Sequence, residues 1–147
     1  MAADGVQVLE LEMQLKVAAD NFYDVFKKKE DISTDKTEVV AVHHRDSQSN
    51  SSTQSWSFIV EGKVEHIKEK IELDEQNKTV SFIAVEGDVM KQYKSYKITL
   101  HVVPTGEGCI AKWTWEYEKL HDDVPPPTKY ASSVADFSRD LETILSQ

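Results

Sequence analysis

The chain is short of the features that staple, secrete or anchor a protein. Its single Cys109 cannot pair within the chain, which excludes an internal disulfide framework and makes a reducing, intracellular compartment the expectation. No initial stretch passes from basic to apolar to small residues as a secretory leader does. No apolar run approaches the ~20 residues of a spanning helix, so a cytoplasmic protein without membrane insertion is expected. Basic residues are in deficit, 17 against 26 acidic, for a net charge of −9, and such a surface repels phosphate backbones unless a local basic patch overrides it. The nearest candidate, Lys27-Lys28-Lys29, runs straight into Glu30 and Asp31 and reads better as charge gathered at a helix C-terminus. Nucleic acid is therefore not an expected partner. No repeat is visible, and a length of 147 residues fits one domain, 1–147, able to bury roughly two-thirds of its unfolded surface.

Against these absences stands one concentration of aromatic residues. Trp113-Thr114-Trp115-Glu116-Tyr117-Glu118 alternates large rings with polar residues, which places three rings on one face of a strand. That face must cover something apolar, either a tightly filled core or a cavity walled by rings. A wall of rings suits a flat organic ligand.

Residues 6–15 alternate as a strand, with Leu9, Leu11, Met13 and Leu15 on one face. The period then changes: Ala18, Phe22, Val25 and Phe26 recur at helical spacing, predicting a helix of about three turns. Strand-like composition returns over 37–43. The tract 45–55, all polar, is predicted as an exposed loop, after which Trp56, Phe58 and Val60 resume a strand pattern. Turn signals at Glu61-Gly62-Lys63, Asp74-Glu75-Gln76-Asn77, Glu86-Gly87-Asp88 and Pro104-Thr105-Gly106-Glu107-Gly108 divide the rest into hairpins. Between them Ile67, Ile71 and Leu73 share a face, then Val80, Phe82 and Ala84, then Tyr96, Ile98, Leu100 and Val102. Pro125-Pro126-Pro127 forces an extended stretch, and Tyr130, Val134, Phe137, Leu141 and Ile144 mark a closing helix of about 19 residues, roughly 28 Å long. The sum is an α+β fold: a strand, a helical segment, an antiparallel meander of about six more strands, and a long helix lying on the curved sheet. One helix cannot fill a strongly bent sheet, so a cavity or bulky packed side chains must, and the pattern leaves both open.

Several strings coincide with a known family. Val85-Glu86-Gly87-Asp88-Val89-Met90-Lys91-Gln92-Tyr93-Lys94-Ser95-Tyr96, Val103-Pro104 and Lys112-Trp113-Thr114-Trp115-Glu116-Tyr117-Glu118-Lys119-Leu120 resemble the major latex protein group of plant Bet v 1-like proteins, in the START-like superfamily. The hairpin Ile71-Glu72-Leu73-Asp74-Glu75-Gln76-Asn77-Lys78 and the approach Asp123-Val124-Pro125-Pro126-Pro127 look like it too. The resemblance covers nearly the whole chain. It implies the helix-grip fold, a seven-stranded antiparallel sheet wrapped around the C-terminal helix, with two short helices after the first strand closing one end of a hydrophobic cavity. It implies carriage of small apolar molecules in plants, often linked to defence or stress; relatives of this fold include cofactor-free enzymes of alkaloid metabolism and hormone receptors. One departure stands out. The family's glycine-rich loop between the second and third strands corresponds to 45–55, which holds no glycine, so a backbone nest for phosphate is not expected there. The region 30–36 also looks short for the second small helix.

Chemistry has few other candidates. His43-His44 with Asp46 suggests a metal site, but neighbours on a regular strand point to opposite faces, and His66, His101 and His121 have no metal spacing; no metal and no cofactor are expected. Cys109 carries no nucleophile signature. Glu69 shares parity with Ile67 and Ile71. Facing inward it would be an acid or base for a bound ligand, whereas the simpler reading puts it near the open end, solvated or paired with a lysine. Tyr96 and Tyr117 are read as wall residues, with hydrogen bonding to a ligand as the alternative. The expected wall comprises Phe22, Phe26, Trp56, Phe58, Phe82, Tyr96, Ile98, Trp113, Trp115, Tyr117, Tyr130, Val134 and Phe137. The expected function is binding of a small hydrophobic or aromatic metabolite; the alternative is an isomerase, lyase or cyclase using Glu69 with Tyr96 or Tyr117.

Overall fold

Alternation, turn chemistry and one long apolar stripe account for most of the architecture. The computed structural model describes residues 5–27, 39–46 and 52–145. In chain order the elements are β1 (Gln7–Leu15), α1 (Ala19–Lys27), β2 (Val39–Asp46), β3 (Ser52–Val60), β4 (Lys63–Asp74), β5 (Thr79–Gly87), β6 (Tyr93–Pro104), β7 (Cys109–Lys119) and α2 (Thr128–Leu145), with a 3-10 turn at Asp88–Lys91. The described strands form a seven-stranded antiparallel sheet in the order β1-β7-β6-β5-β4-β3-β2. β2 to β7 are a plain meander, and β1 closes onto the free edge of β7 in unbroken register from Gln7↔Tyr117 to Leu15↔Cys109. The residues 30–36, where a second short helix is expected, lie outside the described residues, as do Lys28 and Lys29.

The hairpins follow their turn residues. At Glu61-Gly62 both central residues have positive φ, 51° and 81°, the two-residue geometry whose twist matches that of the flanking strands. In the next turn Asp74 accepts from Asn77 Nδ2 at 2.8 Å, and that bond pulls its carboxyl below the ordinary range. Gly87 answers a different demand. Its φ is 133°, and a Cβ there would run into the His66 carbonyl and stand 2.7 Å from the Ile67 Cα, so only glycine lets β5 pass β4 this closely.

The core lies between the inner sheet face and α2. Every second residue of β7, from Cys109 through Ala111, Trp113 and Trp115 to Tyr117, is buried, which is the half-buried strand its alternation predicts. Pairing between β5 and β6 runs from Thr79↔His101 to Ile83↔Lys97. Beyond it β5 continues on β4 through Ala84↔Glu69. The sheet thus parts just beyond the Phe82↔Ile98 pair, beside the buried Tyr96 and Glu69.

Four expectations are corrected. The polar tract 45–55 is not simply a loop: Arg45 pairs with Gln54 and Asp46 with Thr53, while Ser52 to Ser55 pair with β4. A strand flanked by a partner satisfies its backbone whatever its side chains, and Ser and Thr do not oppose it; 47–51 lie outside the described residues. β2 is not regular at His43-His44, because the register shifts between Val42 and His44, as in a bulge; those side chains lie outside the described set. Leu73 and Ile144 leave their stripes, 39 % and 47 % exposed, since each stands at the end of its element. In α2 the buried face carries serines instead. Ser138 donates to the Val134 carbonyl at 2.8 Å and Ser133 to Lys129 at 3.4 Å, which satisfies each hydroxyl within the helix and lets a small polar side chain face the interior.

Candidate functional site

Where the sheet parts, a cavity of about 100 Å³ remains under α2. It is lined by Phe26 of α1, Ile67 and Glu69 of β4, Phe82 of β5, Tyr96 and Ile98 of β6, Trp113 of β7, and Tyr130, Ser133, Val134 and Phe137 of α2. The wall is mostly ring. Phe26 meets Phe82, Trp113 and Phe137 edge to face at centroid distances of 6.0, 5.8 and 6.3 Å, and Phe82 stacks on Trp113 at 6.3 Å. Such contacts hold rings in preferred orientations beyond the gain from burial.

The polar groups of the wall are tied inward. Tyr96 Oη accepts from the indole nitrogen of Trp115 at 3.0 Å, and burial holds its hydroxyl well above the ordinary phenol range, with the Glu69 carboxylate adding to the shift. Tyr130 Oη donates to Glu65 Oε1 at 2.8 Å. Lys129 joins them, its ammonium 3.8 Å from Glu65 Oε2 and 5.2 Å from the Tyr130 ring centre. This cluster fastens the first turn of α2 to β4 beside the cavity, and it raises the Tyr130 hydroxyl far above its usual range, burial first and Glu65 second. Tyr93 Oη donates to the Pro125 carbonyl at 2.7 Å, anchoring the proline stretch that leads into the helix. Burial pushes Tyr93 up to about 12.

Of the thirteen residues expected in the wall, Phe26, Phe82, Tyr96, Ile98, Trp113, Tyr130, Val134 and Phe137 meet in this cavity. Phe22, Trp115 and Tyr117 are buried but stand behind it; Tyr117 sends its hydroxyl to Gln7 Oε1 at 3.4 Å. The side chains of Trp56 and Phe58 lie outside the described set, although both residues belong to β3. Glu69 is the main correction: it is 4 % exposed and borders the cavity instead of standing in solvent, because the period of two that buries Ile67 and Ile71 carries it to the same face. Ile67 and Ser133 were not foreseen in the wall. Parity with Glu69 was available for Ile67, but nothing in a serine announces burial. Among the described residues no three His, Cys, Asp or Glu side chains are grouped to hold a metal, and no helix is long and apolar enough to cross a membrane.

A curved antiparallel sheet gripping a long helix, with a ring-lined cavity between the two, defines the helix-grip class of ligand-binding folds. Residues 4–147 match the pathogenesis-related protein Bet v 1 family. The chain belongs to that family, as a major latex protein-like member. Major latex protein 146 of Papaver somniferum is 34 % identical over 143 residues, 93 % of this chain and 89 % of that protein. MLP-like protein 34 of Arabidopsis thaliana is 29 % identical over 143 residues, 92 % of this chain and 45 % of that longer protein. The crystal structure of major latex-like protein 151 from Panax ginseng superposes with a TM-score of 0.81 at 25 % identity, covering 95 % of this chain and 97 % of that one.

Proposed function

We propose that residues 1–147 form one intracellular ligand-binding domain that holds and carries small apolar or aromatic metabolites in the cavity under α2. The observation that carries this reading is the wall itself: rings from α1, β5, β7 and α2 converge on one cavity, and a concave apolar space with few polar groups is what small-molecule sites are made of. The family's description as pathogenesis-related supports a role in plant defence or stress, and the lone buried Cys109 supports a reducing compartment such as the cytoplasm. A neutral, environment-sensitive dye is expected to bind saturably, to quench tryptophan emission through Trp113, and to be displaced by apolar competitors. Failure of any apolar compound to bind or displace overturns the reading.

A second reading has one observation in its favour. Glu69 and Tyr96 share the wall and are in electrostatic contact, so an isomerase, lyase or cyclase would find a carboxylate and a phenol at the ligand. Tyr96 could act there only as a hydrogen-bond donor, since its hydroxyl holds its proton well above the ordinary range. Tyr117 lies outside the cavity. Turnover of a bound metabolite, lost in Glu69→Gln with binding retained, would favour this reading over carriage.

A further inference from the structure

The cavity is smaller than the task proposed for it. Ligand sites usually offer about 300–1,000 Å³, and an apolar cavity of about 150 Å³ can hold one benzene; here the space is about 100 Å³. A ring enters only if a wall side chain yields. Most of the wall cannot yield easily: Phe82, Ile98 and Trp113 stand on strands paired on both sides, Tyr96 is paired with Tyr117 and bonded to Trp115, and Phe137 stands in the middle of the 18-residue α2. Phe26 differs. It sits in the last turn of the nine-residue α1, which packs chiefly on β6 and α2, and no strand ladder fixes its backbone.

Phe26 is also surrounded as a ligand would be. Phe22, Phe82, Trp113 and Phe137 approach its ring at 5.5 to 6.3 Å with interplanar angles of 62° to 77°, so the enclosure is already matched, edge against face, to one flat ring. We infer that Phe26 is a plug and the determinant of ligand size: its ring fills the place in the aromatic box that a ligand's ring takes, and the site selects neutral, flat, fused-ring aromatics that displace it. Exchange of ring for ring keeps the edge-to-face contacts with Phe82, Trp113 and Phe137. Neutrality follows from the wall's polar groups. Tyr130 is engaged with Glu65, and the Glu69 carboxylate, buried in the same wall, opposes an anion that would have to shed its water there.

This inference rests on the cavity being the ligand site, and the test separates the two. Wild type, Phe26→Leu and Phe26→Ala, each checked for native near-ultraviolet dichroism, are titrated calorimetrically with toluene, naphthalene and 2-naphthoate. A plug that leaves its box in about one molecule in ten lowers apparent affinity about tenfold. Naphthalene is therefore expected to bind Phe26→Ala about tenfold more tightly than wild type, with Phe26→Leu between them and 2-naphthoate weak throughout. If Phe26→Ala does not fold, Phe26→Leu against wild type carries the comparison. Equal naphthalene affinity in all folded proteins overturns the plug while leaving the cavity as the site. Naphthoate binding as tightly as naphthalene overturns the selection for neutral ligands. Binding of neither toluene nor naphthalene to any of them overturns the site as well.

Discussion

Trp113 and Trp115 stand two residues apart on the same face of β7 and belong to different interiors. Trp113 borders the cavity, stacked on Phe82 and edge-on to Phe26, and its indole N–H has no hydrogen-bond partner among the described residues. Trp115 is fully buried, paired across the sheet with Leu9 and Ile98, and donates its N–H to Tyr96. One step along the strand thus separates a wall from a foundation. The foundation is not idle, because the hydroxyl it fixes belongs to a residue of the wall.

The largest expected effect tests that division. Trp115→Ala removes a fully enclosed indole and its hydrogen bond and should cost about 4–5 kcal/mol. Trp113→Ala removes a ring that already faces empty space on one side, so fewer contacts are lost and the cost should be about 2 kcal/mol smaller. Denaturant midpoints of the two variants decide it. Equal losses would mean that Trp113 is packed as solidly as its neighbour and that the cavity has no energetic reality. Dye binding should change in the opposite order, more for Trp113→Ala than for Trp115→Ala.

This difference was beyond the reach of pattern. Parity says which face a residue takes but not how deep the space beneath it is, so Trp113, Trp115 and Tyr117 read alike until α2 was laid across them. The stripe of α2 was legible at Tyr130, Val134, Phe137 and Leu141 because the apolar residues repeat with the helix. Ser133 and Ser138 were not, because their burial depends on bonds to the helix's own carbonyls. The strands through Arg45, Asp46 and Ser52 to Ser55 were misread as loop for a related reason: their ladder bonds are made by backbone, to partners set by β4. The helix-grip fold itself was read more from family strings than from periodicity, which reached only a meander and a closing helix.

Alkali should expose the same contrast through the tyrosines. Burial pushes Tyr23 and Tyr93 up to about 12 from an ordinary value of 10.0, and Tyr96 and Tyr130 rise as well. For a group whose folded pKa is raised, the unfolded chain loses its proton first, so stability is fully present below about pH 10 and declines as pH climbs through 10 towards 12. The Cys109 thiol, also raised by burial from its ordinary 9.0, adds an earlier onset, so urea midpoints should be flat up to about pH 8, fall gently above it and fall more steeply as the tyrosines follow. Tyr96→Phe sharpens the test. It leaves the buried Trp115 N–H without its acceptor, at a cost of about 1–3 kcal/mol near neutrality, yet it should make the alkaline decline shallower because one raised group is gone. An unchanged slope would show that Tyr96 titrates as an exposed phenol and that the foundation under the wall is open to water.

The smallest effect concerns the helix that carries Phe26. Lys78 Nζ lies 2.7 Å from Asp20 Oδ1, joining the first turn of α1 to the hairpin between β4 and β5. Asp20 is largely exposed in this pair, so water and salt screen it, and such contacts are worth about 0–1 kcal/mol. Lys78→Ala should therefore shift the urea midpoint barely above error, with the difference from wild type vanishing at about 1 M salt. Its value lies in what else it moves. If α1 is the weakly fastened element on which Phe26 leaves its box, releasing the N-terminal tie should raise naphthalene affinity slightly, by less than about threefold, at low salt only. A naphthalene affinity independent of both salt and Lys78 would mean that α1 is held by its buried face, Phe22, Tyr23 and Phe26, and that any movement of the plug is confined to the side chain.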